Sequence, residues 1–227
     1  MSKVLGFALT CFSDAMNLTT GLKKTRFERV VASNEIETFR QMFLKREGIL
    51  LPHDYLSRAM LFFCKNTSGR IVGGFAIVLQ GPFRSLQQIP VAISMPQDLQ
   101  LEEVNGLWLD KSTCMRRRMR FWTFAVGTVL RQKGNAIVYA VDSQKSALRE
   151  SLFNHIRTWS LYEGVVLDLE GMPPNGQSME AVEISSKKDL ALQIMNYVGT
   201  YFTETAKTLL QPGKSPDFKF RPSRTRM

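Results

Sequence analysis

One stretch near the middle of the chain constrains the fold more than any other. Residues 102–143 contain a short apolar run, a basic segment that leads into an amphipathic helix, and a β-branched run of little polarity. Gly134 and Asn135 separate the helix from the second run. A strand, a helix and a strand in this succession predict a βαβ unit, because two parallel strands need a crossover of this length. The chain is therefore expected to be an α/β protein.

The basic segment marks the end of the βαβ unit where a ligand is expected. Four arginines fall on the first turns of the predicted helix, namely Arg116, Arg117, Arg118 and Arg120. In such units the ligand lies beyond the carboxyl ends of the strands, where the helix N-terminus presents free N–H groups. Arginine is unfavourable at this end of a helix dipole. The cluster predicts an anion-binding site, and the alternative is a solvated basic face.

The charge balance favours an acidic partner. The 227 residues carry 30 Lys and Arg against 20 Asp and Glu, a net charge of +10. Nucleic acid, an anionic cofactor, an acidic protein or a membrane surface would each fit. The 3 cysteines are far apart and include no CxxC pair, so neither a disulfide framework nor a zinc site is predicted. No apolar run reaches the roughly 18 residues of a membrane span, and the cytoplasm is the expected compartment.

Periodicity and turn residues predict the remaining elements. They are a strand at 27–32, a helix at 34–46, strands at 59–65 and 70–79, a helix from 143 to 159, strands at 162–169 and 180–185, and a last helix from 186. Asn34 and Glu37 have the spacing of a capping box, and Trp159 falls on the apolar stripe of the helix after Ser143. Residues 1–25 form an N-terminal segment, residues 26–210 form one domain, and the basic tail at 211–227 is expected to be disordered.

This order of elements resembles the GNAT superfamily of N-acetyltransferases, and within it most the acyl-homoserine-lactone synthases and N-acyl amino acid synthases. The segments that carry the resemblance are Phe39–Arg46, Gly69–Leu79, Leu86–Pro90, Glu103–Lys111 and Val141–Arg149. The resemblance implies a mixed, mostly antiparallel central sheet with flanking helices. It also implies an enzyme that moves an acyl group from a thioester to a small amine such as an amino acid, without a metal.

Glu103 stands where this family has its acidic residue, so the resemblance makes it the candidate general base that takes a proton from the amine. The alternative is an acid at the strand edge that faces solvent. Strand alternation places Glu103, Asn105 and Leu107 on one face and Glu102 on the other. Gly106 stands where lactone synthases usually carry an arginine, which argues against a homoserine lactone product.

The resemblance also implies where the donor thioester would bind. The backbone N–H groups of Leu107, Trp108 and Leu109 would stabilise the oxyanion where the family splays its strands. Tyr139 and Ser143 are candidate proton donors to the leaving thiol. The alternatives are a core aromatic residue for Tyr139 and a helix cap for Ser143.

The basic segment would then bind the phosphate of the donor. The donor is either phosphopantetheine on an acidic acyl carrier protein, the first choice, or coenzyme A. Two other functions remain open at this point. One is an ordinary acetyltransferase that acts on a polyamine, an antibiotic or a protein lysine. The other is a catalytically silent protein that binds nucleic acid or protein through residues 116–120 and the tail.

Overall fold

A computed structural model describes residues 25–96, 98–143, 158–172 and 178–192. The strands are β1 (Arg26–Val30), β2 (Ala59–Lys65), β3 (Ile71–Val78), β4 (Leu101–Leu109), β5 (Ala136–Asp142), β6 (Thr158–Val165) and β7 (Met179–Ser186). The helices are α1 (Ser33–Glu47), α2 (His53–Ser57), α3 (Arg84–Gln87) and α4 (Met115–Leu130).

The strands form a single sheet in the order β1-β2-β3-β4-β5-β7-β6. Strands β4 and β5, which α4 connects, are parallel, and every other neighbouring pair is antiparallel. The predicted βαβ unit and the predicted mixed, mostly antiparallel sheet are both confirmed. A parallel pair at the centre follows from the crossover through α4, since a short turn can join only antiparallel strands.

Apolar side chains cover both faces of the sheet, which we call the α1 face and the α4 face. Phe39 of α1 packs with Phe63 and Trp108 on the α1 face. Phe121 of α4 packs with Phe62 and other apolar residues on the α4 face. The neighbours Phe62 and Phe63 thus enter opposite cores, as successive residues of a strand must. Coverage on both faces explains why the central strands are nearly continuous apolar runs.

Helix α1 begins differently from the prediction. Its first turn is closed by Glu35, whose carboxylate accepts the backbone N–H of Ala32 at 3.3 Å. The predicted capping box of Asn34 and Glu37 is therefore wrong, because the helix starts earlier and Glu37 bonds to side chains one turn further along. The helix ends at Glu47, one residue beyond the predicted end, and Gly48 after it lies in the left-handed region at φ 75°.

The second half of the chain contains a further correction. Trp159 lies in β6 and is 56% exposed, so it does not belong to a buried helical stripe. Pairing with β7 over the whole of β6 outweighs the apparent helical spacing. The strand predicted at 162–169 accordingly begins earlier, at Thr158. The other members of the predicted stripe, Leu148, Leu152 and Ile156, lie outside the described residues, as do residues 1–24 and the tail at 211–227.

The last helix begins where it was predicted. Residues 187–192 are helical. The hydroxyl oxygen of Ser186 accepts the backbone N–H of Asp189 at 3.0 Å, which is a side-chain cap of the first turn.

A β-bulge interrupts β4 near its middle. Gly74 of β3 faces Trp108, and Ala76 faces Asn105, so two residues of β4 lie opposite one residue of β3. Gly106 occupies the first bulge position with φ 57°, a conformation that glycine adopts without strain. The extra residue shifts the alternation, and Leu107 packs on the α4 face. The prediction that Leu107 shares a face with Glu103 is therefore wrong.

Candidate functional site

Strands β4 and β5 diverge within the sheet. They pair only over their first residues, as Leu101 with Ala136, Glu102 with Ile137 and Glu103 with Val138. Both strands then continue, β4 to Leu109 and β5 to Asp142, with no further register between them. The divergence opens at the carboxyl ends of the parallel pair, which is where α/β folds bind ligands. Backbone polar groups on the two facing edges can pair with an extended ligand there.

The bulge lies in the divergent part of β4. A Cβ atom on Gly106 would lie 3.1 Å from the Phe39 ring, and the φ of 57° would strain any larger residue. The position therefore needs glycine for a local reason.

The side chain of Glu103 is buried on the α1 face with 0% exposure. Its Oε1 accepts the backbone N–H and the hydroxyl of Ser85, each at 2.6 Å, and Nδ2 of Asn105 at 3.5 Å. Its Oε2 accepts the hydroxyl of Tyr55 at 2.7 Å and the backbone N–H of Arg84 at 2.9 Å. Arg84 and Ser85 open α3, so the carboxylate caps that helix. The alternative of an acid that faces solvent is wrong.

Tyr55 connects Glu103 to the bulge. Burial, followed by the nearby Glu103 carboxylate, raises the pKa of the Tyr55 hydroxyl well above its ordinary value, so the hydroxyl keeps its proton and donates it. The same oxygen accepts Nδ2 of Asn105 at 3.0 Å. Asn105 Oδ1 in turn accepts the backbone N–H of Gly106 at 2.6 Å. We call Glu103, Tyr55, Asn105 and Gly106 the bulge network.

The connection after β6 lies over this part of the α1 face. Leu167 donates its N–H to the carbonyl of Gln88 at 2.7 Å, and Leu50 donates to the carbonyl of Gly171 at 2.8 Å. The Arg84 guanidinium donates to the carbonyl of Glu170 at 2.6 Å, and burial lowers its pKa. These contacts help to keep the bulge network out of solvent.

Glu102 lies on the opposite face from Glu103, as the alternation predicted, and it is also buried. Its Oε1 accepts the N–H of Gly134 at 2.6 Å. Nζ of Lys187 lies 2.6 Å from Oε2 and also donates to the carbonyl of Gln132 at 3.0 Å. The pair fastens β4 to the turn after α4 and to the helix after β7, which is a structural role.

Tyr139 and Ser143 lie apart from Glu103. Tyr139 is buried on the α4 face, and its hydroxyl donates to Glu183 Oε2 at 3.0 Å across the β5–β7 pair. Ser143 follows β5, and its hydroxyl donates to the carbonyl of Met179 at 2.8 Å. The three candidate catalytic side chains are therefore not brought together in one cluster, and their catalytic roles stay predictions.

The basic segment is less uniform than its sequence indicates. The Arg118 guanidinium donates to the carbonyls of Thr113 and Lys111, at 2.9 and 2.6 Å, and so closes the loop before α4. Arg117 lies near Cys64, where its charge partly opposes the effect of burial on the thiol. Arg120 is half-buried. The side chain of Arg116 lies outside the part of the chain that the structure describes.

Asp110 anchors the loop between β4 and α4, and sequence reasoning did not single it out. The buried carboxylate forms ion pairs with Arg46 and with Arg70, the latter at 3.4 Å. The Asp110 carbonyl accepts the N–H of Thr113 at 2.9 Å. An acid directly after an apolar strand is a sequence signal for such an anchor, but its partners are remote in sequence. In the described ranges no three His, Cys, Asp or Glu residues group as a metal site would require.

Two kinds of comparison give different results. The sequence matches no model of a protein family, and no curated protein is significantly similar to it. The fold resembles FeeM, an N-acyl amino acid synthase from uncultured soil microbes, with a TM-score of 0.51 at 11% identity. That match covers 73% of this chain and 92% of FeeM. The chain has the GNAT fold.

Two other solved structures have a similar fold. BjaI, a CoA-dependent acyl-homoserine lactone synthase with SAM and isopentyl-CoA, gives a TM-score of 0.50 at 10% identity, over 75% of this chain and 88% of BjaI. SpeG, a spermidine/spermine N-acetyltransferase from Vibrio cholerae, gives a TM-score of 0.50 at 6% identity, over 78% of this chain and 99% of SpeG. Among the described residues of this GNAT-fold chain, every helix is too short or too polar to cross a membrane.

Proposed function

We propose that this protein is an N-acyltransferase that moves an acyl group from a thioester to a small amine. The divergence of β4 and β5 carries the proposal, because it leaves two backbone edges free beside the N-terminus of α4. The amides of a pantetheine arm would pair with those edges, and the free N–H groups that open α4 would bind the donor phosphate. The fold shared with acyl-transferring enzymes supports the same reading.

The reaction forms a C–N bond and breaks a C–S bond. A neutral amine attacks the thioester carbonyl, the carbonyl oxygen becomes an oxyanion, and the amine proton ends on the released thiol. The N–H groups of Leu107, Trp108 and Leu109 follow the bulge, so some of them would point into the divergence toward that oxyanion. Tyr139 and Ser143 remain the candidate donors of a proton to the thiol.

An acyl carrier protein is the donor that we favour over free coenzyme A. The chain has a net charge of +10, and exposed cations surround the carboxyl end of β4. Lys111 is exposed, and the Arg70 side chain is 67% exposed although it pairs with Asp110. An acidic carrier protein would gain association rate from these charges. The N-acyl amino acid synthase among the structural neighbours makes an amino acid our first choice of acceptor.

A matrix of donors and acceptors tests this function. Acetyl, octanoyl and palmitoyl groups would be supplied on coenzyme A and on acyl carrier protein, each with amino acids, a polyamine or no amine. We expect thiol release that depends on the amine, together with an amide product of matching mass, and faster turnover from the carrier protein. Release of thiol at the same rate with and without every amine would contradict the proposal. Turnover confined to acetyl-CoA and the polyamine would establish the ordinary acetyltransferase instead.

A further inference from the structure

We propose that Glu103 is a positioning residue that fixes the β4 bulge through Tyr55 and Asn105, and that it does not take the proton from the amine. The inference rests on the proposed acyl transfer for its kinetic consequences. The inferred control of the bulge depends only on hydrogen bonds among the described residues.

The Glu103 carboxylate has a limited capacity to accept hydrogen bonds. A carboxylate offers about four lone-pair positions to donors. Ser85 fills two of them, at 2.6 Å each, and Tyr55 and Arg84 fill the others at 2.7 and 2.9 Å. Two of the four donors are backbone N–H groups at the start of α3, which cannot turn away while the helix stays formed. Nδ2 of Asn105 approaches Oε1 as well, at 3.5 Å, so an incoming amine finds no free acceptor on Glu103.

Tyr55 and Asn105 connect Glu103 to the backbone of β4. The Tyr55 hydroxyl donates to Glu103 and accepts from Asn105, so Glu103 sets the direction in which the hydroxyl can accept. Asn105 then holds the N–H of Gly106 with its Oδ1 at 2.6 Å. That N–H belongs to the first residue of the bulge. The bulge network therefore links the capped helix α3 to the backbone turn in β4.

The bulge controls the direction of the backbone groups that follow it in β4. Along a strand, side chains alternate between faces and backbone N–H groups alternate between edges. An inserted residue shifts both alternations for everything that follows it. The bulge at Gly106 thus decides which N–H groups among Leu107, Trp108 and Leu109 point toward β5 and the divergence. A loosened bulge would misdirect the donors that the oxyanion needs.

The Tyr55→Phe substitution separates the two roles of Glu103. If Glu103 were the base, removal of the Tyr55 hydroxyl would free an acceptor position on Oε2, and turnover would hold or rise. If Glu103 is a positioning residue, Tyr55→Phe breaks the link through the hydroxyl and leaves Asn105 only its 3.5 Å contact with Oε1, while Ser85 and Arg84 still donate to the carboxylate. Turnover should then fall on the order of 10–100-fold, the range for slightly misplaced catalytic groups.

The experiment compares Tyr55→Phe, Glu103→Gln and the double variant with the wild type. Glu28→Gln makes the same chemical change on β1, an edge strand of the sheet, away from the bulge network. It is the matched control. Three readouts are taken: kcat and KM for the donor, the pH profile of kcat/KM, and hydrogen exchange of backbone amides in residues 101–109.

We expect Tyr55→Phe and Glu103→Gln each to lower kcat with little change in the donor KM. The double variant should lose no more than the more impaired of the two single variants, because both residues act through one connection. The pH profile of Glu103→Gln should keep the shape of the wild-type profile, since no titrating base is lost. Amides at Asn105, Gly106 and Leu107 should exchange faster in both variants and not in Glu28→Gln.

Full activity in Tyr55→Phe, together with loss of the acidic limb of the pH profile in Glu103→Gln, would make Glu103 the base and overturn the proposal. Unchanged exchange at the bulge in both variants would overturn it as well. If Glu103→Gln does not fold, Tyr55→Phe alone decides. If no donor supports turnover in any protein, the proposed function fails, but the exchange measurement still tests the bulge network.

Discussion

The hydroxyl of Tyr55 lies 2.7 Å from Oε2 of Glu103 and joins α2 to the central strand on the α1 face. The two residues are 48 positions apart in sequence, and both are buried. The bond lies next to the place where β4 leaves β5, because Glu103 is the last residue of β4 that pairs with β5. The start of the divergence is thus held by Tyr55, a side chain of α2, which lies in neither β4 nor β5.

Gly106→Ala should impair activity more than stability. A side chain at φ 57° costs roughly 1–2 kcal/mol, and the new Cβ would lie 3.1 Å from the Phe39 ring. The bulge would relax, so we expect kcat to fall on the order of 100-fold. Gly48→Ala is the matched control, since Gly48 has φ 75° and nothing within 4 Å of the added Cβ. Denaturant unfolding and turnover of both variants check this; an equal loss of kcat in the two would contradict it.

Glu102→Gln should destabilise the fold and leave the chemistry of each folded molecule nearly unaltered. The buried Lys187 side chain would lose the carboxylate that now lies 2.6 Å away. Loss of one partner from a buried pair costs about 3–5 kcal/mol. Urea unfolding measures the loss, and Glu102→Gln combined with Lys187→Met should recover part of it. A double variant that is less stable than Glu102→Gln alone would show that the pair does not act as a unit.

The arginines at the start of α4 should differ in their effect on donor binding. Arg116→Ala should raise the donor KM and make it less sensitive to salt, because the proposed attraction between the basic segment and the donor phosphate would be weakened. Arg118 already donates to the carbonyls of Lys111 and Thr113. Arg118→Ala should therefore raise the KM through a looser loop, with a smaller change in its salt dependence. Measurement of KM between 50 and 500 mM salt, about the range over which screening changes strongly, distinguishes the two; equal slopes would refute the distinction.

Cys64 should make the fold less stable at alkaline pH. Burial raises the pKa of its thiol from 9.0 to about 11, with Arg117 acting in the opposite direction. The folded state thus holds the proton more tightly than the unfolded state. Its contribution is complete below pH 9 and is lost as the pH rises toward 11. Unfolding midpoints between pH 8 and about 10.5 check this, and Cys64→Ala should flatten the decline. A decline of the same size in Cys64→Ala would assign the effect to other groups.

Reactivity of the cysteines offers an independent check of the same prediction. Cys114 is exposed at the start of α4, whereas Cys64 is buried in β2. Iodoacetamide at pH 8 should label Cys114 in the folded protein and leave Cys64 unmodified, because only a thiolate reacts. Peptide mapping would show both sites labelled after unfolding.

The sequence predicted the frame of the candidate site better than its contacts. Strand alternation correctly predicted that Glu102 and Glu103 lie on opposite faces, and the apolar runs correctly predicted strands β2, β3 and β5. Each of these features depends on the pattern of neighbouring residues alone. The bulge at Gly106 escaped prediction, since a glycine inside a strand is compatible with both a bulge and a regular ladder. The donors to Glu103 escaped for another reason: Tyr55 and Ser85 come from segments 48 and 18 residues away. Contacts of that kind depend on tertiary structure, which no local pattern encodes.

Protection of backbone amides by a stable donor analogue tests the central claim most directly. An acyl-CoA or acyl carrier protein analogue with a methylene group in place of the thioester sulfur would be added, and hydrogen exchange would be followed along the chain. The account predicts slower exchange at residues 104–109 of β4, at residues 139–142 of β5 and in the first turn of α4, with no change in β1. Tight binding of the analogue without protection at the facing edges of β4 and β5 would contradict the account.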